Sequence, residues 1–267
     1  ARGNGHTKVL CQIDNVEPHE LHLTDKPFNR YYLHSVDGFV YMSEQVHSEL
    51  RAYSDAPALF SPHPLFENFG ERVERSEACV RLGLDPANRY VLFFGLIRDY
   101  KGLDLLLDAW AGLRRRGRTE GRRLIVAGEF YTAKEPYLKQ IADNGLQEEV
   151  LLHDRFIPDD DVKYYFSAAD FVVQPYKTAT QSGVTQIAYQ FCVPMVVTDV
   201  GGLSEIVPDG RVGYVCEPTV QGVADAIARM YDGDTIERFR LNCIEERKRF
   251  SWEEMCTRIA ELYEMVR

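Results

Sequence analysis

At 267 residues, 45% hydrophobic and 27% charged, the chain has the length for one large globular domain or two smaller ones. Its net charge of −10 excludes bulk attraction to nucleic acid, so no nucleic-acid partner is expected. Six cysteines at 11, 79, 192, 216, 243 and 256 form no C-x-x-C pair, and no signal peptide or apolar run of roughly 18 residues is found. That excludes a disulfide scaffold, a zinc site and a spanning helix, and makes a reducing cytoplasm the expected compartment.

The predicted elements begin with a strand at 9–13 behind the polar stretch ARGNGHTK. The loop DNVEPHE follows, then a helix near 27–35 and a strand at 38–43. Ser43 is placed to cap a helix whose Val46 and Leu50 face inward. A third strand at 58–60 leads to PHPLFENFG. This is βαβαβ organisation with only three strands. It reads as the second half of a domain whose first half is absent, whether by truncation, proteolysis or an internal start. Such a remnant leaves a sheet edge and an apolar face uncovered, so self-association through 9–66 is expected. Residues 67–88 are charged and mixed and read as a link between domains.

From residue 90 strands and helices alternate. Strands are predicted at 90–94, 124–127, 150–153, 171–174, 195–198 and 213–215. Helices are predicted near 103–115, 134–143, 159–167, 184–191, 219–231, 235–248 and 252–266. The fold class is therefore α/β, a Rossmann-like doubly wound parallel sheet, with ligands expected beyond the carboxyl ends of its strands. Residues 90–94 form an apolar run that Gly95 ends; Leu103, Leu106, Leu107, Trp110 and Leu113 then mark one helical face. Arg98 and Lys101 lie between, beside a helix N-terminus, where cations and N–H groups suit phosphate. An ordinary solvated loop is the competing reading.

The stretch RRRGRTEGRR at 114–123 carries six arginines and leaves two readings, a solvated helix terminus or a patch for peripheral membrane contact. Gly128 in AGEF permits close approach of a ligand or a neighbouring backbone. In RFIPDDD, Asp159–Asp161 start a helix and read as capping residues rather than metal ligands. QPYKTATQSGVTQ offers Thr178, Thr180, Gln181, Ser182 and Gly183 ahead of a helix, a composition suited to a diphosphate or ribose, or simply to a capped loop. After the strand at 195–198 come Gly201, Gly202 and Glu205.

GLIRDYKG, AGEF, AADFVVQPY, PMVVTDVGGLSEIV and FSWEEM together resemble the C-terminal half of retaining GT-B glycosyltransferases of family 4 (group 1). DNVEPHE, YMSEQVHSEL and PHPLFENFG resemble the end of that family's N-terminal, acceptor-side domain. The resemblance implies a GT-B fold with an incomplete N-terminal Rossmann-like domain at 1–75 and a nucleotide-sugar-binding domain at 76–267, the last helix crossing back. It implies a transferase moving a hexosyl group from a UDP- or GDP-sugar to a glycan or lipid-linked acceptor, retaining, with no metal and no further cofactor. Arg98 and Lys101 match the family's catalytic, diphosphate-holding pair; the family arginine directly follows the glycine, where Leu96 stands here, so Lys101 is the firmer match. Donor binding is assigned to Gly95, Gly128, Glu129, Phe156, Thr180, Ser182, Gly183 and Glu205. The family's E-x7-E glutamates are replaced by Ala179 and Ile187, so ribose recognition must differ or pass to Glu205 or a backbone group. Where the family's first domain brings a histidine near the sugar this sequence has Asp14, with His19 five residues on; either could serve, and a structural role for His19 beside Pro18 is the competing reading. The alternative is a nucleotide-sugar-binding module without turnover, which the missing carboxylates and half-domain favour. A third reading, a dinucleotide-binding oxidoreductase, is weakened by the lack of G-x-G-x-x-G after any strand. Oligomeric state, base, sugar and acceptor are left open.

Overall fold

The computed structural model describes residues 7–16 and 25–267. Its chain falls into two compact units. One gathers the described residues up to Pro64 with Arg249–Arg267, and the other is Leu65–Lys248.

The first unit holds a parallel sheet in the order β1 (Leu10–Ile13), β2 (Gly38–Tyr41), β3 (Ala58–Phe60). Helix α1 (Asp25–Leu33) and helix α2 (Glu44–Arg51) lie between these strands in sequence. Ser43 caps α2, its Oγ accepting from Val46 N–H at 3.3 Å, and Val46 and Leu50 are fully buried, as expected. They join Ile13, Leu33, Phe39 and Tyr41 in one apolar cluster. The terminal helix α11 (Trp252–Val266) packs on β2 from the same unit. Met255 and Leu262 cluster there with Val40 and Met42, and a Cβ at Gly38 would come within 2.9 Å of Leu262. The last helix therefore covers the Val40 and Met42 side of the sheet, as a buried parallel strand requires, while Phe28, Tyr31 and Tyr32 of α1 stay exposed.

The second unit carries a six-stranded parallel sheet in the order β6 (Val150–His153), β5 (Arg122–Ala127), β4 (Arg89–Phe94), β7 (Phe171–Gln174), β8 (Met195–Thr198), β9 (Gly213–Cys216). β4 is buried on both faces. Val91 and Phe93 enter a cluster with α4 (Leu103–Arg115) and α9 (Val220–Met230). Phe94 meets α6 (Asp159–Ala168) through Phe166, ring centroids 5.1 Å apart. The register between β4 and β5 runs from Arg89↔Arg122 to Phe94↔Ala127, so β5 starts two residues before its apolar run.

The span expected as a linker is structured. A 3-10 turn at Glu67–Phe69 and helix α3 (Arg75–Leu82) both pack on α6. The contact division accordingly falls at 64/65, whereas the sequence boundary was set at 75/76. Asp159 does not cap α6: Pro158 holds that position without a side-chain bond, and Asp159, Asp160 and Asp161 lie in the first turn, where they complement the helix dipole. Four of the six arginines at 114–123 meet a carboxylate or an aromatic ring within the unit. Arg114 meets Glu149 at 2.9 Å, Arg116 meets Asp225 at 3.2 Å, Arg118 meets Asp232 at 3.8 Å, and Arg122 lies 3.9 Å over Tyr231. Among the described residues no helix is long and apolar enough to cross a membrane.

Candidate functional site

The strand order reverses between β4 and β7: β5 and β6 extend one way, β8 and β9 the other. The carboxyl ends of β4 and β7 thus flank the switch point, where a doubly wound sheet opens a crevice. Loops from four strands meet there, and glycines let them touch. Gly128 has φ +144, and a Cβ on it would lie 2.1 Å from the Gly95 carbonyl oxygen. Ile97 N–H donates to Glu129 O at 2.8 Å and Tyr131 N–H to Ile97 O at 2.9 Å, zipping the β4 loop to the β5 loop. Gly102, at φ +69, leaves no room for a Cβ, which would sit 2.0 Å from Pro175 O. Lys177 N–H donates to Tyr100 O at 2.7 Å, joining the β4 and β7 loops. Gly202 N–H donates to Thr180 O at 3.1 Å, and a Cβ at Gly201 would strike Ala179 O, so the β8 loop is fixed to the same assembly.

Lys101 ends the 3-10 turn Asp99–Lys101, so its side chain leaves the loop just before α4 begins. Its Nζ lies 3.1 Å from where a Gly95 Cβ would be and 5.7 Å from the centroid of the Tyr176 ring. A larger residue at 95 would push the ammonium away. Helix α7 (Gly183–Gln190) points its N-terminus into the same space. Its cap is Ser182, whose Oγ accepts from Val184 N–H at 3.2 Å and lies 3.1 Å from the buried Tyr176 hydroxyl. The resulting cavity of about 290 Å³ brings together Gly95, Lys101, Gln181, Ser182 and Gly183. Its apolar walls are Phe66, Phe69, Phe94, Tyr100, Tyr176, Val184 and Ile187. Burial, and secondly the charge of Arg98, push the Lys101 ammonium down to about 8. A half-buried cation beside a helix N-terminus, both short of a counter-charge, is an arrangement that an anion stabilises.

The other assigned residues lie outside this cavity. The Arg98 guanidinium lies 5.0 Å over the Tyr131 ring. Gly128 faces the Gly95 carbonyl, so loop packing accounts for it, and Glu129 is exposed. Phe156 is 65% exposed in the β6–α6 loop. Thr180 is half-buried and its carbonyl serves the β8 loop. Glu205 lies in the short helix α8 (Leu203–Ile206), half-buried. Asp14 follows β1 in the first unit and borders a hollow there with Asn15 and Tyr32; His19 lies outside the described residues.

The sequence reading missed the aromatic walls. Phe66 and Phe69 come from PHPLFENFG, which had been assigned to the other unit; the Phe66 ring covers α7, 3.3 Å from where a Gly183 Cβ would be. Tyr100 and Tyr176 stood inside the quoted loops, next to Lys101 and Lys177, and that placement was the available signal; in the structure their rings meet edge-on at 6.0 Å. Ile187, in the place of the family's second glutamate, is part of the cavity wall, whereas Ala179 is buried beneath Gly201. A larger hollow of about 670 Å³ lies at the amino ends of β4 and β5. Its cations already face carboxylates: Arg89 meets Asp170 at 3.0 Å, with Glu120, Asp234 and Glu237 on the same wall.

The profile of the family described as glycosyl transferases group 1 matches residues 88–233, more than half of the chain. D-inositol 3-phosphate glycosyltransferase of Pseudarthrobacter chlorophenolicus is 32% identical over 160 residues, 59% of this chain and 38% of that protein. Lipopolysaccharide core biosynthesis mannosyltransferase LpsB of Rhizobium meliloti is 32% identical over 230 residues, 80% of this chain and 62% of that protein. The chain thus spans about half the length of such curated relatives. Among solved structures, sucrose-phosphate synthase from Thermosynechococcus elongatus aligns with TM-score 0.80 at 20% identity, covering 96% of this chain and 67% of that one. Anabaena HepE, in complex with UDP and glucose, aligns with TM-score 0.75 at 18% identity, covering 96% and 71%. At such identities these likenesses carry the fold alone, which is of the GT-B type. The chain belongs to the glycosyl transferases group 1 family.

Proposed function

We propose that the protein transfers a hexosyl group from a nucleotide-diphosphate sugar, UDP- or GDP-linked, to a glycan or lipid-linked acceptor, without a metal and with retention at the anomeric carbon. The observation that carries this reading is the convergence of the Lys101 ammonium and the α7 N-terminus at the switch point of the sheet. As the bond to the donor's β-phosphate oxygen breaks, negative charge grows on the departing diphosphate. A pre-placed ammonium and helix N–H groups stabilise that charge without having to reorganise. HepE was solved with UDP and glucose, and that pairing supports a nucleotide sugar as the donor class.

A second reading is a nucleotide-sugar-binding module without turnover. The apolar Ile187 in the cavity wall favours it. Titration with UDP, GDP, ADP and NAD, followed by donor turnover with and without EDTA, separates the readings. Binding of UDP or GDP with EDTA-resistant turnover and an unchanged anomer supports the transferase. Binding without turnover supports the module, and tight NAD binding with no UDP or GDP binding refutes both.

A further inference from the structure

A second cationic cavity of about 290 Å³ lies within Leu65–Lys248, between the carboxyl end of α7 and helix α10 (Thr235–Glu246). Arg72, Arg240 and Arg247 all line it, with Glu71 and Glu237 as the acidic members of the wall. Two of the three guanidiniums are held by weak acceptors. Arg72 donates to Phe191 O at 3.4 Å; Arg247 donates to Gln190 O at 3.1 Å and to the Cys192 sulfur at 3.5 Å. Arg240 reaches Glu237 only at 3.9 Å, and its buried Nε has no hydrogen-bond partner among the described residues. Burial and then the nearby charge of Arg240 disfavour the charged form of Arg72, and Glu237 and Glu74 offset this only in part.

Guanidiniums normally pair with carboxylates or phosphates, and a charge even partly withdrawn from water is costly without one; Arg240 and Arg247 are half-buried here, while Arg72 reaches the surface. Here three cations share one small space with Glu71 and Glu237, the Arg240–Glu237 pair is long, and further carboxylates, Asp170 and Asp234, line the larger hollow that Arg240 also borders. A tetrahedral oxyanion supplies what the cluster lacks: several acceptor oxygens, compact size and bidentate geometry for arginine. We propose that this cavity binds a phosphate group, either free in solution or carried as a lipid headgroup, at a site separate from the Lys101 cavity.

The test uses the full chain in a Lys101→Ala background, which removes the cation of the other cavity. Thermal shift and calorimetry with inorganic phosphate, at constant ionic strength set with chloride, should show saturable binding. Arg240→Gln should weaken it roughly tenfold or more, the typical value of a charge-assisted bond. Glu237→Gln, which removes an exposed carboxylate from the wall, should strengthen it several-fold, an opposite change that misfolding cannot produce. A second arm sediments the protein with phosphatidylcholine vesicles with and without phosphatidic acid. Pelleting only with phosphatidic acid, sensitive to Arg240→Gln, assigns the headgroup; saturable phosphate binding without pelleting assigns the free anion. No binding in either arm, or binding indifferent to both Arg240→Gln and Glu237→Gln, overturns the proposal.

Discussion

Lys101 offers a test of the site that depends on its chemistry more than on its position. Its ammonium is pushed down to about 8 by burial and by Arg98. A diphosphate needs the charged form. Above pH ~8 the free protein must therefore take up a proton on binding, and affinity should fall by up to tenfold per pH unit. Between pH ~7.5 and ~9.5, where the diphosphate is fully ionised, the protonated fraction falls roughly 20-fold, and the Kd for UDP or GDP should rise accordingly. Calorimetry in buffers of different ionisation heat should register the proton uptake directly. Stability has the opposite sign. A lysine whose folded pKa lies below its unfolded value of about 10.4 costs the fold free energy below pH ~8, and stability rises as the pH climbs between the two values. Lys101→Met should therefore stabilise the ligand-free protein at pH ~7 by roughly 1–2 kcal/mol, after discounting the two-to-three-unit shift for partial solvation. The same substitution should weaken diphosphate binding by one to two powers of ten, the range for a lost bond to a charged group of about 1.5–3 kcal/mol. Nucleoside binding should not change. A Kd that is flat across this pH range, together with Lys101→Met lowering the melting temperature, would refute the assignment of a desolvated, anion-seeking lysine.

Other expectations follow from neighbouring contacts. Arg98→Ala should weaken diphosphate binding less than Lys101→Ala and move the pH midpoint upward, since Arg98 is the like charge that lowers the ammonium; pH-dependent calorimetry checks both. UDP and 2′-deoxy-UDP should bind within about 1 kcal/mol of each other, because Ile187 gives the wall no carboxylate for ribose; a larger preference measured by titration would direct attention to Glu205. Gly102→Ala should cost about 2 kcal/mol or more in chemical denaturation, combining a left-handed backbone with a Cβ 2.0 Å from Pro175 O. Trp110→Phe should cost roughly 1–3 kcal/mol, since the fully buried indole N–H donates to Glu149 at 2.8 Å.

The sheet was legible because apolar runs and 3.6-residue periodicity alternate from residue 90 onward, and both-face burial of β4 leaves no polar alternation to confuse with a surface strand. Helix α3 was not legible. Its segment RSEACVRL buries only Ala78 and Cys79 and exposes Val80, so its apolar face is too narrow to register. Helix α8 is a single turn inside a glycine loop and leaves no period to count. At the site, the cation, the cap and the helix start were readable because each is a local feature of one loop. Phe66 and Phe69 were not, since a cavity wall depends on which distant segments meet, and no local pattern encodes that.

The glycines show why the cation and helix end are held rather than merely adjacent. Gly102 lets the turn that carries Lys101 rest on the β7 loop, Gly128 brings the β5 loop onto Gly95, and Gly201 lets the β8 loop rest on Ala179. A Cβ at any of them would strike a carbonyl oxygen, and backbone cannot yield as a flexible side chain can. Each loop therefore constrains the next, and the ordering of Lys101 over Gly95 is met during folding rather than at binding. That ordering also explains the low proton affinity of Lys101: a mobile surface lysine would swing into water and keep its ordinary pKa, whereas one fixed beside Gly95 and Tyr176 stays short of solvent until an anion arrives. Arg98, one turn earlier and stacked over Tyr131, escapes this constraint, which is why its removal should matter less.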